Sequence, residues 1–443
     1  MARDLGLLFF VVLVVALTQL QMLVVVDAQP QVPCYFIFGD SLVDNGNNNG
    51  LVTQAKANYP PYGIDFPQGT TGRFTNGLTI ADIIGELLGF VNFIPPYANV
   101  TNQQISTGVN YGSGSAGIRD ESGSQLGDRV TFNRQLLNHA TIITRLSLLQ
   151  RNKTFTNEYV KKCIYITVIG NNDYINNYLM PNNYPTSSIY TTDQYAEVLA
   201  RQYSKQLTTL YKLGARKIAV FGLGQIGCTP AEISMFGTDG RPCVDSINDA
   251  VNRLNIRLKP LVDELNSNFS DARFTFINLT SISAPPEGVT LPTEPCCQLR
   301  ADGQCVPNSI PCPNREATIF YDGFHTTEIA NRAVATRTYN ALSPMDASPY
   351  DISFIWYQNP SCSSESTDPY QIYSTMSSIV EVTTHTHFPI KLNATNFLVW
   401  RKQVMATLIG LGLDTYVDGS KVAPSKTLAS DATKPNPEYR HWL

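Results

Sequence analysis

Only five histidines occur in the 443 residues, at positions 139, 325, 385, 387 and 441. A hydroxyl nucleophile needs a base near neutral pKa, and histidine is the side chain suited to that task. The last three lie in a compositionally distinct C-terminal stretch, so a base in the main body must be His139 or His325. His139 sits in the helix-like RQLLNHATIITRL and reads as a surface or internally satisfied residue. His325 follows Asp322 by three positions in YDGFH, close enough for the carboxylate to fix the imidazole tautomer and stabilise an imidazolium. The same spacing also suits a helix N-cap by Asp322. Ser41, in FGDSLVDNGNNN, is the candidate nucleophile, although that composition equally describes a tight polar turn. An oxyanion needs aimed donors. The backbone N–H of Ser41, a glycine N–H from NYGSGSAGI and the side-chain amide of Asn172 in VIGNNDY would provide three. Ser41 is not in a Gly-x-Ser-x-Gly elbow, which argues against the α/β-hydrolase class.

The elements that must position these groups are short apolar runs, each followed by turn residues: CYFIFGDS, CIYITVIGNND, KIAVFGLGQIGC, FTFINLT and ATIFYDG. Runs this short, rich in Ile, Val, Phe and Tyr, predict strands buried on both faces. Helical spacing predicts helices between them, over 78–88 after Thr75 and Asn76 and over 193–213 with Gly214 as a stop. Alternation of this kind implies an α/β fold with a parallel sheet covered on both sides. Ligands then bind beyond the carboxyl ends of the strands. GDS, GNND and YDGFH, each read as following a strand, would converge on one sheet edge.

Composition narrows the function classes. Hydrophobic residues make up 43% and charged residues 15%, against about 25% charged in ordinary soluble domains. The net charge is −4, and without a basic stripe the main body has no footprint for nucleic acid. The N-terminus, MARDLGLLFFVVLVVALTQLQMLVVVDAQ, reads as a signal peptide over 1–28, cut after Ala28, and not as an anchor that persists in the membrane. Export predicts disulfides among the nine cysteines. Cys228 and Cys243 are placed to close a short loop, and Cys296, Cys297, Cys305 and Cys312 crowd another. Their spacing lacks the pattern of a zinc ribbon. Cys163, inside an apolar run, reads as a buried thiol, and Cys362 as a candidate for the unpaired residue. Sequons at Asn99, Asn152, Asn268 and Asn278 suit a glycoprotein.

Five blocks in order, FGDSLVDNGNNN, GRFTNGLTIADIIGELLG, GVNYGSGSAGI, VIGNNDY and DGFHTTEIANR, resemble the plant-type GDSL esterase/lipase family of SGNH hydrolases. The resemblance runs from about Val32 to about Ile355, where SPYDISF is similar to the usual domain end. It implies a three-layer α/β/α flavodoxin-like fold and hydrolysis of carboxylic esters with no cofactor and no metal. It further implies Ser41 as nucleophile, His325 as base and then acid, and Asp322 as its orienting partner. The oxyanion hole would be Ser41, Gly117 and Asn172, with Gly114 as the alternative glycine. Asp40 and Asp173 would shape turns. The chain departs from the family at Tyr321, where tryptophan is usual, and at Thr326, which replaces a proline that would stiffen the next helix.

Together these readings imply a secreted enzyme, extracellular or in the cell wall, acting on small-molecule esters or acylated polymers. Acyl transfer at the same serine and a non-catalytic binding role on the same scaffold are the alternatives. The domain is expected over 29–356, followed by a Ser/Thr-rich linker over 357–387. Residues 388–443, with Phe397, Trp400, Val404, Leu408 and Leu411 at helical spacing, resemble the N-terminal part of copia-type retrotransposon Gag. They are expected to form a partial helical appendage with too little apolar surface for its own core.

Overall fold

The computed structural model describes residues 29–284, 292–355, 427–428 and 431–435. Four of the five apolar runs are strands: β1 (Tyr35–Gly39), β3 (Ile164–Val168), β4 (Lys217–Phe221) and β5 (Arg273–Ile277). The sheet is completed at one edge by β2 (Gly108–Asn110) and at the other by β6 (Ala347–Ser348), in the order β2-β1-β3-β4-β5-β6. All neighbours are parallel except β5 and β6. The two edge strands, three and two residues long, are too short to give a periodic signal in the sequence.

Successive strand residues point to opposite faces, and the core divides accordingly. Phe36, Phe38, Tyr165, Ile218, Val220 and Phe274 join one apolar cluster. Tyr35, Ile37, Ile164, Ile166, Ala219 and Phe221 join a second. Helices α2 (Phe132–Gln150), α3 (Thr192–Lys212) and α5 (Asp245–Asn268) cover the first face. Helices α1 (Ile80–Leu87) and α6 (Glu328–Tyr339) cover the second. The result is the expected three-layer α/β/α fold with a mostly parallel sheet.

The onset of α1 differs from its sequence reading. The helix begins at Ile80 and not at Leu78, with Thr79 as the N-cap: its hydroxyl accepts from the N–H of Asp82, whose side chain returns the bond. Asn76 accepts the N–H of Glu328. Helix α3 runs as predicted, burying Tyr195, Leu199, Tyr203, Leu207 and Leu210.

Two further expectations are corrected. Cys163 is not a free thiol but is bonded to Cys34. Parallel register sets Tyr35 opposite Ile164, so the residues just before β1 and β3 also lie side by side. The fifth run, ATIFYDG, is not a sheet strand; Phe320 makes only isolated bridges to Pro295 and Thr326. Its apolar side chains divide: Tyr321 enters a satellite core with Tyr62, Phe74 and the cysteines at 296, 297 and 305, while Ile319 and Phe320 border a cavity. The preceding segment, 296–312, is closed by Cys296–Cys312 and Cys297–Cys305, and a separate loop by Cys228–Cys243; the N–H groups of Cys296 and Cys297 donate to the carbonyls of Phe320 and Tyr321.

Among the described residues no helix is long and apolar enough to cross a membrane. The leader over 1–28, Cys362, the linker and the helical spacing at 397–411 lie outside the described residues. The chain divides into two units, 1–360 and 361–443. In the second unit, Thr427–Leu428 (β7) and Asp431–Pro435 (β8) form an antiparallel pair.

Candidate active site

The turn after β1 is held from three directions. The Gln135 side chain on α2 accepts the N–H of Gly39 at 2.9 Å and donates to its carbonyl at 2.8 Å. The Asp40 N–H donates to the Val168 carbonyl across the sheet. A Cβ on Gly39 would lie 2.3 Å from that same carbonyl oxygen, so the close approach of β1 and β3 admits no side chain there. Beyond the strand end, the asparagines of DNGNNN fasten the turn to its neighbours. Asn47 donates to the carbonyls of Asn110 and Gly112, and Asn48 to those of Ala55 and Gly114. Asp44 accepts the N–H groups of Gly46, Asn47 and Gly114. These bonds give the amides a structural task, and they leave Ser41 at the sheet's carboxyl edge facing a cavity.

Behind His325, which also borders the cavity, Asp322 bends its own loop by accepting the N–H groups of Phe324 and His325 at 2.8 Å each. It does not cap α6, whose N-cap is Thr327. Its carboxylate also accepts the Tyr62 hydroxyl at 2.6 Å and lies 2.8 Å from His325 Nδ1. A carboxylate surrounded by donors only accepts, so Nδ1 carries the proton and Nε2 is left as an acceptor. His325 Nε2 is 2.7 Å from Ser41 Oγ. Hydroxyl, imidazole and carboxylate therefore stand in one hydrogen-bonded line, an arrangement able to remove the serine proton and stabilise the imidazolium that results. Thr326, in the usual proline position, donates to the Asn331 side chain on α6 at 2.5 Å, and the imidazole line is intact beside it.

Asn172 borders the same cavity. Its Nδ2 donates one hydrogen to the Ala116 carbonyl at 3.0 Å, and its Oδ1 accepts from Asn176 at 2.6 Å. The second Nδ2 hydrogen remains for a ligand. Gly117 is placed elsewhere: a Cβ there would lie 2.7 Å from Asp173 Oδ2, and the residue does not border the cavity. Gly114 likewise lies off the cavity, against Asn48 and Phe74. Ser115, between them, does border it, with a positive φ of 65°. The N–H groups of Ser41, Ser115 and Gly117 make no hydrogen bond among the described residues. The sequence signal for Ser115 was its place in a Gly-x-Gly-x-x-Gly-like stretch, but no residue count distinguishes which member of a tight loop faces outward.

The carboxyls flanking the site are buried. Desolvation pushes Asp40 up to about 6, against N–H and amide donors from Leu42 and Asn171. Asp173 rises to about 7 for the same reason, although it accepts from the N–H groups of Ile118 and Arg119 and from Ser122. His139 lies apart, fully buried, its Nδ1 2.9 Å from the Tyr111 hydroxyl. Burial lowers it to about 3, which keeps it neutral.

The cavity is about 920 Å³, within the range of ligand pockets. Its walls are mainly apolar and include Leu126, Ile175, Leu179, Ile226, Phe320 and Phe324.

Comparison with known proteins agrees with this architecture. The family model described as GDSL-like Lipase/Acylhydrolase matches residues 35–338. Curated relatives include an Arabidopsis thaliana GDSL esterase/lipase 49% identical over 74% of this chain and 92% of its own length. Two others from the same plant are 48% identical over 74% of this chain and 92% of theirs, and 44% identical over 78% and 97%.

Proposed function

Since the chain belongs to the GDSL-like lipase/acylhydrolase family and is a carboxylic ester hydrolase acting on small-molecule esters, we propose that it works through an acyl-serine intermediate on Ser41. The observation that carries this reading is the 2.7 Å contact between Ser41 Oγ and an imidazole whose other nitrogen is held by Asp322. His325 takes the hydroxyl proton as Oγ attacks the ester carbonyl, and Asp322 stabilises the imidazolium. The oxyanion is held by the N–H of Ser41 and by the side chain of Asn172. Ser115 N–H supports the third donor better than Gly117, because it borders the cavity. His325 then protonates the leaving alkoxide. Water, deprotonated by the same imidazole, hydrolyses the acyl-serine and restores the site.

In this reading the enzyme is secreted, its leader removed after Ala28, and the substrates are lipid, cutin-like or acylated-polysaccharide esters. The apolar cavity walls support an acyl chain as one part of the substrate. The C-terminal unit takes no part in the chemistry, and truncation near Trp356 leaves ester hydrolysis intact. Ser41→Ala lowers turnover of a short-chain p-nitrophenyl ester by about 10⁴-fold or more, with the circular dichroism spectrum unchanged. A fluorophosphonate labels Ser41 in the native protein; hydrolysis persisting in Ser41→Ala, or no label on Ser41, overturns the assignment.

A further inference from the structure

One wall of the catalytic cavity carries a polar pair that the hydrolytic mechanism does not use. Thr229 and Glu232 lie one helical turn apart at the start of α4 (Pro230–Phe236), inside the loop closed by Cys228–Cys243. Both border the cavity that holds Ser41 and His325. Thr229 is 7% exposed and Glu232 2%. Thr229 Oγ1 and Glu232 Oε2 have no hydrogen-bond partner among the described residues, and Thr229 makes no side-chain cap to its helix. The other charged groups of the cavity are already engaged. Arg300 pairs with Asp302, His325 with Asp322, and Asp40 accepts from Asn171 and Leu42. Burial alone pushes Glu232 up to about 7, with no neighbouring charge contributing.

An unpartnered carboxyl is costly in an apolar wall, and native proteins rarely keep one without a use. Helix α4 is also tied to the base's own loop, since the Ala231 N–H donates to the Gly323 carbonyl at 2.9 Å. The wall bearing the pair is thus fixed relative to His325.

We propose that Thr229 and Glu232 form a subsite that binds a hydroxyl group of the substrate, so that the enzyme selects hydroxyl-bearing esters over their plain counterparts. A hydroxyl donates and accepts at once. It therefore suits this pair whether Glu232 is protonated or ionised, while an ammonium would suit only the ionised form. The inference rests on the ester hydrolase reading and adds a substrate class to it.

The test uses two matched pairs of esters, which separate the two places a hydroxyl can sit. One pair is p-nitrophenyl dodecanoate against p-nitrophenyl 12-hydroxydodecanoate, the other propyl laurate against glycerol monolaurate. In at least one pair the native enzyme shows a kcat/KM preference of about tenfold or more for the hydroxylated member, as expected for one hydrogen bond to a buried carboxyl. Glu232→Leu removes the preference while retaining hydrolysis of the plain ester. Thr229→Val reduces the preference, and Glu232→Gln, which still donates and accepts, keeps most of it. The melting temperature of Glu232→Leu stays level or rises, because a desolvated carboxyl has been removed. Equal rates within both pairs for the native enzyme, or a preference that survives Glu232→Leu, overturns the proposal. Calorimetric binding to Ser41→Ala decides the question independently of turnover. There Glu232→Leu weakens the hydroxylated ligand about tenfold and leaves the plain one unchanged, and equal weakening of both counts against the subsite. Failure to hydrolyse any of the four esters strikes the ester hydrolase reading instead.

Discussion

The two halves of the candidate active site are built by different means. Ser41 stands at the end of a sheet strand, in a turn fastened by backbone pairing across β1, β2 and β3 and by asparagine side chains acting as staples. Asp322 and His325 stand on a loop outside the sheet, where Phe320 has only isolated bridges. There the position is held by backbone bonds from Cys296 and Cys297 of the adjoining disulfide-closed segment to Phe320 and Tyr321, by Tyr62 and Tyr321 in the satellite core, and by the Tyr321 hydroxyl donating to the Pro61 carbonyl. A parallel sheet supplies rigidity through a repeating ladder, while a loop lacks that ladder and here leans on a neighbouring segment made stiff by covalent closure. The serine side has one disulfide, Cys34–Cys163, at the far end of β1 and β3 from Ser41, but the ladder itself holds the turn; it is therefore expected to tolerate reduction better than the histidine side.

The largest effect should come from opening the disulfide-closed segment against which that loop packs. Replacing Cys296, Cys297, Cys305 and Cys312 together by alanine removes crosslinks worth about 2–3 kcal/mol each. Esterase activity should fall at least about 100-fold while hydrogen exchange in β1, β3 and β4 stays slow. If activity and sheet protection are lost together, the two halves are not separate in the way described. Next comes Tyr62→Phe, which deletes one buried donor to Asp322. A hydrogen bond to a charged group contributes about 1.5–3 kcal/mol, so kcat should drop roughly tenfold with KM little changed. An unaltered kcat would mean that Asp322 is positioned well enough by its two backbone donors.

Asn48→Ala tests the other half. It leaves the Ala55 and Gly114 carbonyls and the Ser113 hydroxyl without their partner, a loss of about 1–3 kcal/mol in denaturant unfolding. Below the melting transition, activity should stay within a few-fold of native. The last test is in pH. Asp40 and Asp44 are raised by burial to about 6 and Asp173 to about 7, from an ordinary value of 3.8. Carboxyls raised on folding contribute stability that is fully present below pH 3.8 and lost as pH climbs through 6 to 7. The melting temperature should therefore decline from pH 5 to pH 8, and Asp44→Asn should flatten part of the slope. A flat native profile would mean that these carboxyls are ionised at little cost by their N–H donors.

Some parts of this architecture are legible in one dimension because they repeat or are contiguous. The apolar runs of β1, β3, β4 and β5 and the stripe of α3 follow from periodicity, since burial on both faces of a sheet or along one face of a helix imposes it. The place of Ser41, directly after a buried strand, is equally local. What escaped the sequence had no local signature. ATIFYDG has the composition of a strand, yet Tyr321 found a disulfide-lined cluster, and Ile319 and Phe320 a cavity wall, instead of a sheet neighbour. Cys163 looked like core until register set it against Cys34.

By itself, then, the sequence determined the α/β alternation, the turn bearing Ser41 and the inventory of donors and bases, because each depends on residues within a few positions of one another. Only the tertiary structure decided that Tyr62 donates to Asp322, that Ser115 and not Gly117 faces the cavity, and that Thr229 and Glu232 stand unpartnered in its wall. Those outcomes depend on which distant segments pack together once loops such as the one between Tyr62 and Asp322 have closed, and partner choice at that range leaves no trace in local spacing.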